Sequence, residues 1–164
     1  STTARAIKEM RKIDPTFDLY ELEEDAKGIF EAAYTTYLQG NIELLEKMCG
    51  EMALGYFKVL LRKMEAEKCE PKYKYLWQID PAFFSTALIP EKRLPVFVFT
   101  IKTQEIYCNI SKIDKRIVDG DDERLMNWEY QFAITPHSNP DLENVGHAWE
   151  IIELQPRQVL KMLV

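Results

Sequence analysis

Trp128-Glu129-Tyr130-Gln131-Phe132-Ala133-Ile134 decides the fold class of this chain. Trp128, Tyr130, Phe132 and Ile134 alternate with Glu129, Gln131 and Ala133. A period of two puts the four large apolar side chains on one face of an extended strand. The stretch therefore reads as a half-buried antiparallel strand. Upstream, Leu94–Cys108 reads as a long strand, central over Val96-Phe97-Val98-Phe99, where both faces are apolar. Its later part, Lys102–Glu105, is polar and is expected to be more exposed. Tyr73–Ile79 and Ala82–Leu88 form a strand region bent near Asp80-Pro81, and His147–Leu154 a last strand ended by Pro156. Asp119-Gly120 is a turn signal within a charged loop. The tail Arg157–Val164 reads as extended or briefly helical.

The first half carries a helical period instead. A helix is expected from Thr3 to Lys12, stopped by Asp14-Pro15 because the residue before proline is pushed out of the α region. The next helix has the clearest start signal. Asp18 suits the N-cap, Glu21 stands three residues on, and Phe17 and Leu22 are placed to staple the turn. Leu19, Leu22, Ala26, Ile29, Phe30, Ala33 and Tyr37 follow at helical spacing to a stop at Gly40. Asn41 can cap a short third helix bearing Leu44, Leu45 and Met48, interrupted at Gly50. A fourth runs to about Lys68, with a stripe of Met52, Tyr56, Leu60 and Met64 beside Phe57 and Leu61, and Pro71 marks its end. A stripe containing Met is usually core, though Met also adapts to the wall of a cavity. Helices followed by about four antiparallel strands give an α+β fold. A curved sheet wrapped by helices would form a half-cone with a pocket between the layers.

Composition suits one domain. The 164 residues are 46% hydrophobic and 12% aromatic, enough for a core, and the net charge of −6 argues against a globally basic nucleic-acid surface. Cys49, Cys69 and Cys108 lack disulfide or zinc spacing and fit a reducing compartment. Val96–Ile101 is far short of the roughly 20 apolar residues of a spanning helix. No signal or transit peptide is legible, and a chain beginning at Ser1 reads as a processed product or an excised domain. Charge is uneven. Residues 1–12 hold Arg5, Lys8, Arg11 and Lys12 against Glu9, net +3, while residues 17–31 hold six acidic residues against Lys27, net −5. The acidic run partly serves the dipole of its helix. The basic helix reads either as an ordinary surface helix or as an amphipathic anchor for anionic lipid or a partner.

No catalytic constellation is specific. P-loop, GxGxxG, HExxH and GxSxG patterns are all missing from the sequence. His137 and His147 lie ten residues apart without a ligand pattern, and Asp119, Asp121, Asp122 and Glu123 lack the order of an EF-hand. Asp80, Tyr107 and Tyr130 are nominees for acid–base work only by analogy with enzymes on cone-shaped folds. No catalytic residue, metal or cofactor is therefore expected.

Five segments in order carry a resemblance. They are Arg5–Asp18, with its Ile13-Asp14-Pro15-Thr16-Phe17-Asp18 ending; Gly40–Glu46, where Asn41 replaces a usual Asp; Pro95–Phe99 leading to Gln104-Glu105-Ile106; Asp119-Gly120-Asp121; and Ala148–Leu154 with Trp149. Together they resemble the C-terminal domain of the forty-four-kilodalton subunit of the translocase of the inner mitochondrial membrane. The resemblance spans nearly the whole chain. It implies a cone-shaped, nuclear-transport-factor-two-like α+β fold with a large apolar pocket. The inward residues expected to line it are Tyr56, Leu60, Met64, Phe97, Phe99, Trp128, Tyr130, Phe132 and Trp149. Residues 1–16 would be an amphipathic helix and linker, and 17–164 the domain proper.

By function, the resemblance implies a non-enzymatic scaffold of the import motor, peripheral on the matrix side of the inner membrane. Its implied partners are import-channel subunits, preprotein in transit and cardiolipin, with no nucleic acid. Contact with the matrix heat-shock chaperone is implied through an N-terminal region outside this chain. The family's lipid contact is attributed to its first two helices; here the charge makes Arg5, Lys8, Arg11 and Lys12 the expected lipid-binding residues, since the acidic second helix would be repelled. Two alternatives stand beside this reading. One is a structural subunit of the large mitochondrial ribosomal subunit with the same domain, against which the net charge of −6 counts. The other is a small-molecule-binding member of the cone fold.

Overall fold

A computed structural model describes residues 1–74, 77–78, 81–89, 94–137 and 149–158. Four helices precede the sheet: α1 Thr2–Ile13, α2 Leu19–Leu38, α3 Ile42–Met48 and α4 Glu51–Ala66. The strands are β1 Cys69–Pro71, β2 Trp77–Gln78, β3 Ala82–Ile89, β4 Leu94–Ser111, β5 Ile117–Pro136 and β6 Trp149–Gln158.

Local chemistry sets the helix ends. The Asp18 carboxylate accepts from the Tyr20 amide at 2.9 Å and starts α2. At the other end Gly40 takes a positive φ of 73°, which costs glycine nothing. Its amide donates to Tyr37 O, and the Asn41 amide donates to Thr36 O, which is the paired pattern of a Schellman stop. The Asn41 side chain then accepts from Leu44 N at 3.2 Å and opens α3. Gly50, extended at φ −75° and ψ 176°, divides α3 from α4. α4 ends at Ala66, just short of expectation, with Lys68 in the left-handed region.

All strand pairings are antiparallel, and the sheet is four strands wide. β4 is central. β3, β2 and β1 pair in turn along one side of it, β5 pairs along the other, and β6 closes the far edge. Bulges re-aim side chains where the alternation would otherwise fail. Ala133 faces Glu153 but Ile134 faces Ile151, so Ile152 is extra and both Ile151 and Leu154 turn inward. Phe84 is the extra residue of β3 and stands 60% exposed while Phe83 packs on the core.

The core lies between α2, α4 and the inward face of β4, β5 and β6. Phe97, Phe99, Phe132, Ile101 and Ile134 are fully buried, met by Phe30 from α2 and Phe57 from α4. The rings pack in two sets: Phe30 to Phe132 at 5.3 Å and Phe132 to Phe99 at 5.8 Å in one, and Phe97 to Phe17 at 5.2 Å in the other. α1 packs on β3 and β4 and places Ala6 and Met10 in this same core, so residues before 17 are part of one packed unit. The three cysteines are free and buried, as small hydrophobes, and burial pushes the Cys49 thiol up to about 12.

Several expectations need correction. Asp119-Gly120 is not the turn: both residues lie inside β5, and the turn is at 112–116, organised by Ser111 and by Lys115 at φ 64°. Gly120, at φ 79°, instead sits in a wide bulge, where one residue of β4 faces four of β5. Pro71 does not stop α4, which ends at Ala66, but pairs as the last residue of β1, and Pro156 does not end β6 but pairs within it, which a proline can do at a sheet edge. Met52 leaves the expected stripe and is 70% exposed; Ala53, Phe57 and Met64 form the buried side of α4.

Candidate functional site

Beyond the packed rings, the layers part and leave a cavity of about 270 Å³. α2 brings Tyr34, Tyr37 and Leu38 to it, and α4 brings Tyr56 and Leu60. The far half of β4 supplies Glu105 and Tyr107, and β5 supplies Leu125, Trp128 and Tyr130. Trp77 of β2 completes the mouth, 62% exposed.

At the inner end stands a hydrogen-bonded cluster. Tyr34 Oη donates to Glu105 Oε1 at 2.8 Å, and Tyr130 Oη donates to Glu105 Oε2 at 2.8 Å. Thr103 Oγ1 also donates to Oε2. Three hydroxyls thus fill three of about four lone-pair directions of the carboxylate. The Tyr34 and Tyr130 oxygens lie 2.9 Å apart. Each hydroxyl has one proton, so with both given to Glu105 that contact has no proton of its own. Burial first, then the neighbouring phenol and carboxylate, holds the Tyr34 phenol well above its usual range. Burial, then Glu105, does the same for Tyr130. Tyr56 is pushed up to about 12, chiefly by burial. These are neutral donors across the physiological range, not general bases.

At the mouth, Tyr107 Oη donates to Asp119 Oδ2 at 2.6 Å, and Asn109 Nδ2 donates to Tyr107 Oη at 3.3 Å. Burial and this hydrogen bond raise the Tyr107 phenol. The acidic group around Gly120 is locally occupied: Asp121 accepts from the Glu123 amide at 2.9 Å, and Asp122 pairs with Lys72 at 2.8 Å.

Of the residues expected in the pocket, Tyr56, Leu60, Trp128 and Tyr130 stand in the cavity wall. Phe97, Phe99 and Phe132 do not; they are fully buried in the core. Met64 is also buried and borders a separate groove near the end of α4, and Trp149 packs on Phe17 and Phe97. Tyr34, Tyr37, Trp77 and Glu105 join the wall without having been expected there from sequence. A signal for Glu105 exists, since Phe97, Phe99, Ile101, Thr103 and Glu105 continue one alternation along β4. Thr103 is 1% exposed, so Lys102–Glu105 is not a uniformly exposed stretch. Asp80 and His147 lie outside the described residues. His137 Nε2 lies 2.9 Å from Lys47 O, and Nδ1 lies 3.8 Å from Glu150.

A second feature is the outer side of α1. Arg5, Lys8, Arg11 and Lys12 are all exposed, within an arc of about 120° opposite Ala6 and Met10. Lys12 pairs with Glu9 at 2.8 Å, and Arg11 Nε donates to Phe17 O at 3.2 Å. Ile13 and Tyr20 lie beyond, 53% and 82% exposed. Two of the acidic residues of α2 are tied to the sheet: Glu23 accepts from the Phe83 amide at 3.0 Å and Glu31 from Gln78 Nε2 at 2.9 Å.

Helices laid over one face of an open antiparallel sheet, with a cavity where they part, define the cone-shaped, nuclear-transport-factor-two-like class of α+β domain. The model of the Tim44-like domain family matches residues 3–156, and the chain belongs to that family. At family level this means mitochondrial protein import, inner-membrane association, and interaction with translocase components and preprotein, by scaffold domains rather than catalysts. Among the described residues no helix is long and apolar enough to cross a membrane.

Proposed function

We propose that this domain is a docking scaffold of the import motor, held on the matrix face of the inner membrane by α1 and touching the import channel and preprotein in transit. The observation that carries the reading is the exposed basic face of α1, Arg5, Lys8, Arg11 and Lys12, backed by a helix that is itself anchored through Ala6 and Met10. A fixed helix presents its charges without first having to order. Each basic residue near an anionic surface contributes about 1 kcal/mol. With Lys12 partly engaged by Glu9, the face is worth about 3 kcal/mol, a factor on the order of 100 in binding.

Flotation of the full chain with cardiolipin vesicles tests this. The variant Arg5→Gln, Lys8→Gln, Arg11→Gln, Lys12→Gln should lose most binding, and raising salt should weaken the unaltered chain. Equal flotation of the two proteins would refute the proposed face.

A further inference from the structure

Among the described residues Glu105 is the only charged side chain in the cavity wall; no Lys, Arg or His of that set lines it. Among the same residues no ion pair reaches Glu105. Its three partners, Tyr34, Tyr130 and Thr103, are neutral hydroxyls that bind the carboxylate without cancelling its charge. One lone-pair direction is left. Around it the wall is mainly aromatic: Tyr37, Tyr56, Trp77, Tyr107 and Trp128 join the two bonded tyrosines.

That combination has a direction. Aromatic faces carry negative potential and attract cations, the more so where water is excluded. A carboxylate in the same space adds a full opposite charge, whereas an anionic ligand would meet both effects as repulsion. We propose that the cavity binds an organic cation, an alkylammonium or quaternary ammonium group, with Glu105 as its counter-charge and the aromatic wall as its cage. At about 270 Å³ the space suits a small head rather than a drug-sized ligand. Leu38 and Leu60 offer the head's hydrocarbon an apolar neighbour. No residue of α1 lines this cavity, so the site stands apart from the membrane-docking reading.

The test uses the full chain and hexyltrimethylammonium, read by titration calorimetry and by the fluorescence of wall residues Trp77 and Trp128. An uncharged analogue of the same branched shape and hexanoate serve as controls. The cation should bind at one site and both controls at least tenfold more weakly. Glu105→Gln, which keeps the side-chain shape and one of the two acceptor oxygens, should weaken the cation at least tenfold and leave the neutral analogue unchanged. Should that variant not fold, Trp77→Ala is tolerable at an exposed position and should weaken the cation several-fold. Equal binding of cation and neutral analogue, or unchanged cation affinity in whichever of the two variants folds, would overturn the proposal. Competition by phosphatidylcholine vesicles would identify a lipid head as the source of the ammonium. Its absence would point to a soluble cation, and either result supports the site.

Discussion

Replacing Tyr130 with Phe removes one hydroxyl and leaves the ring. In the folded protein the carboxylate of Glu105 loses one of three donors, at a bond length of 2.8 Å. Hydrogen bonds to a charged group contribute about 1.5–3 kcal/mol, and loss of the crowded contact with the Tyr34 oxygen returns a little. The variant should therefore be about 2 kcal/mol less stable at pH 7. The same substitution acts oppositely in alkali. Tyr130 is held protonated in the folded state well above the ordinary value of 10.0. Its contribution is fully present below the unfolded pKa of about 10 and is lost as pH rises above it, at about 1.4 kcal/mol per pH unit. The unaltered protein thus loses stability through this group as pH rises beyond about 10. The ring that replaces the phenol has nothing to titrate, so the two stabilities should converge there. Urea unfolding, followed by circular dichroism at pH 7, 10 and 11.5, measures this directly. A gap below about 0.5 kcal/mol at pH 7, or one that stays constant to pH 11.5, would refute the account of the cluster.

Other perturbations have equally definite outcomes. Gly120→Ala puts a Cβ against the Tyr107 carbonyl oxygen and 2.8 Å from its Cδ1, at a φ of 79°. A loss of about 3–5 kcal/mol in chemical unfolding is expected, against well under 1 kcal/mol if the bulge can relax. Asp18→Ala removes the cap bond to Tyr20 N and should cost about 1 kcal/mol by the same assay. Phe132→Ala empties the centre of the ring stack at a 0% exposed position and should cost about 3–5 kcal/mol, with thermal unfolding broadened if packing loosens.

What can be read from sequence is what local chemistry controls. Asp18, Gly40 and Asn41 act on backbone groups within a few residues, so their capping roles need no tertiary context. The alternation from Trp128 to Ile134 is legible because the strand buries one face throughout. Positions whose role depends on a distant partner are misread. Glu105 looks like surface because it is charged, yet its partners Tyr34 and Tyr130 come from α2 and β5. Asp119-Gly120 marks a backbone that needs positive φ, and a wide bulge needs it as much as a turn does. Pro71 and Pro156 suggest breaks because the sequence does not say which strands are edges. The large rings at 97, 99 and 132 are inward as expected, but inward residues divide between packed core and cavity wall only once the helices above them are placed.

The central claim is that this chain is an import-motor scaffold docked at the membrane. Its most direct test places a photo-crosslinking residue at Ile13, exposed at the C-terminal end of α1, and irradiates the chain assembled in mitochondria. Recovery of translocase subunits and preprotein in transit is the predicted result. Recovery of large-subunit ribosomal proteins in their place would contradict it.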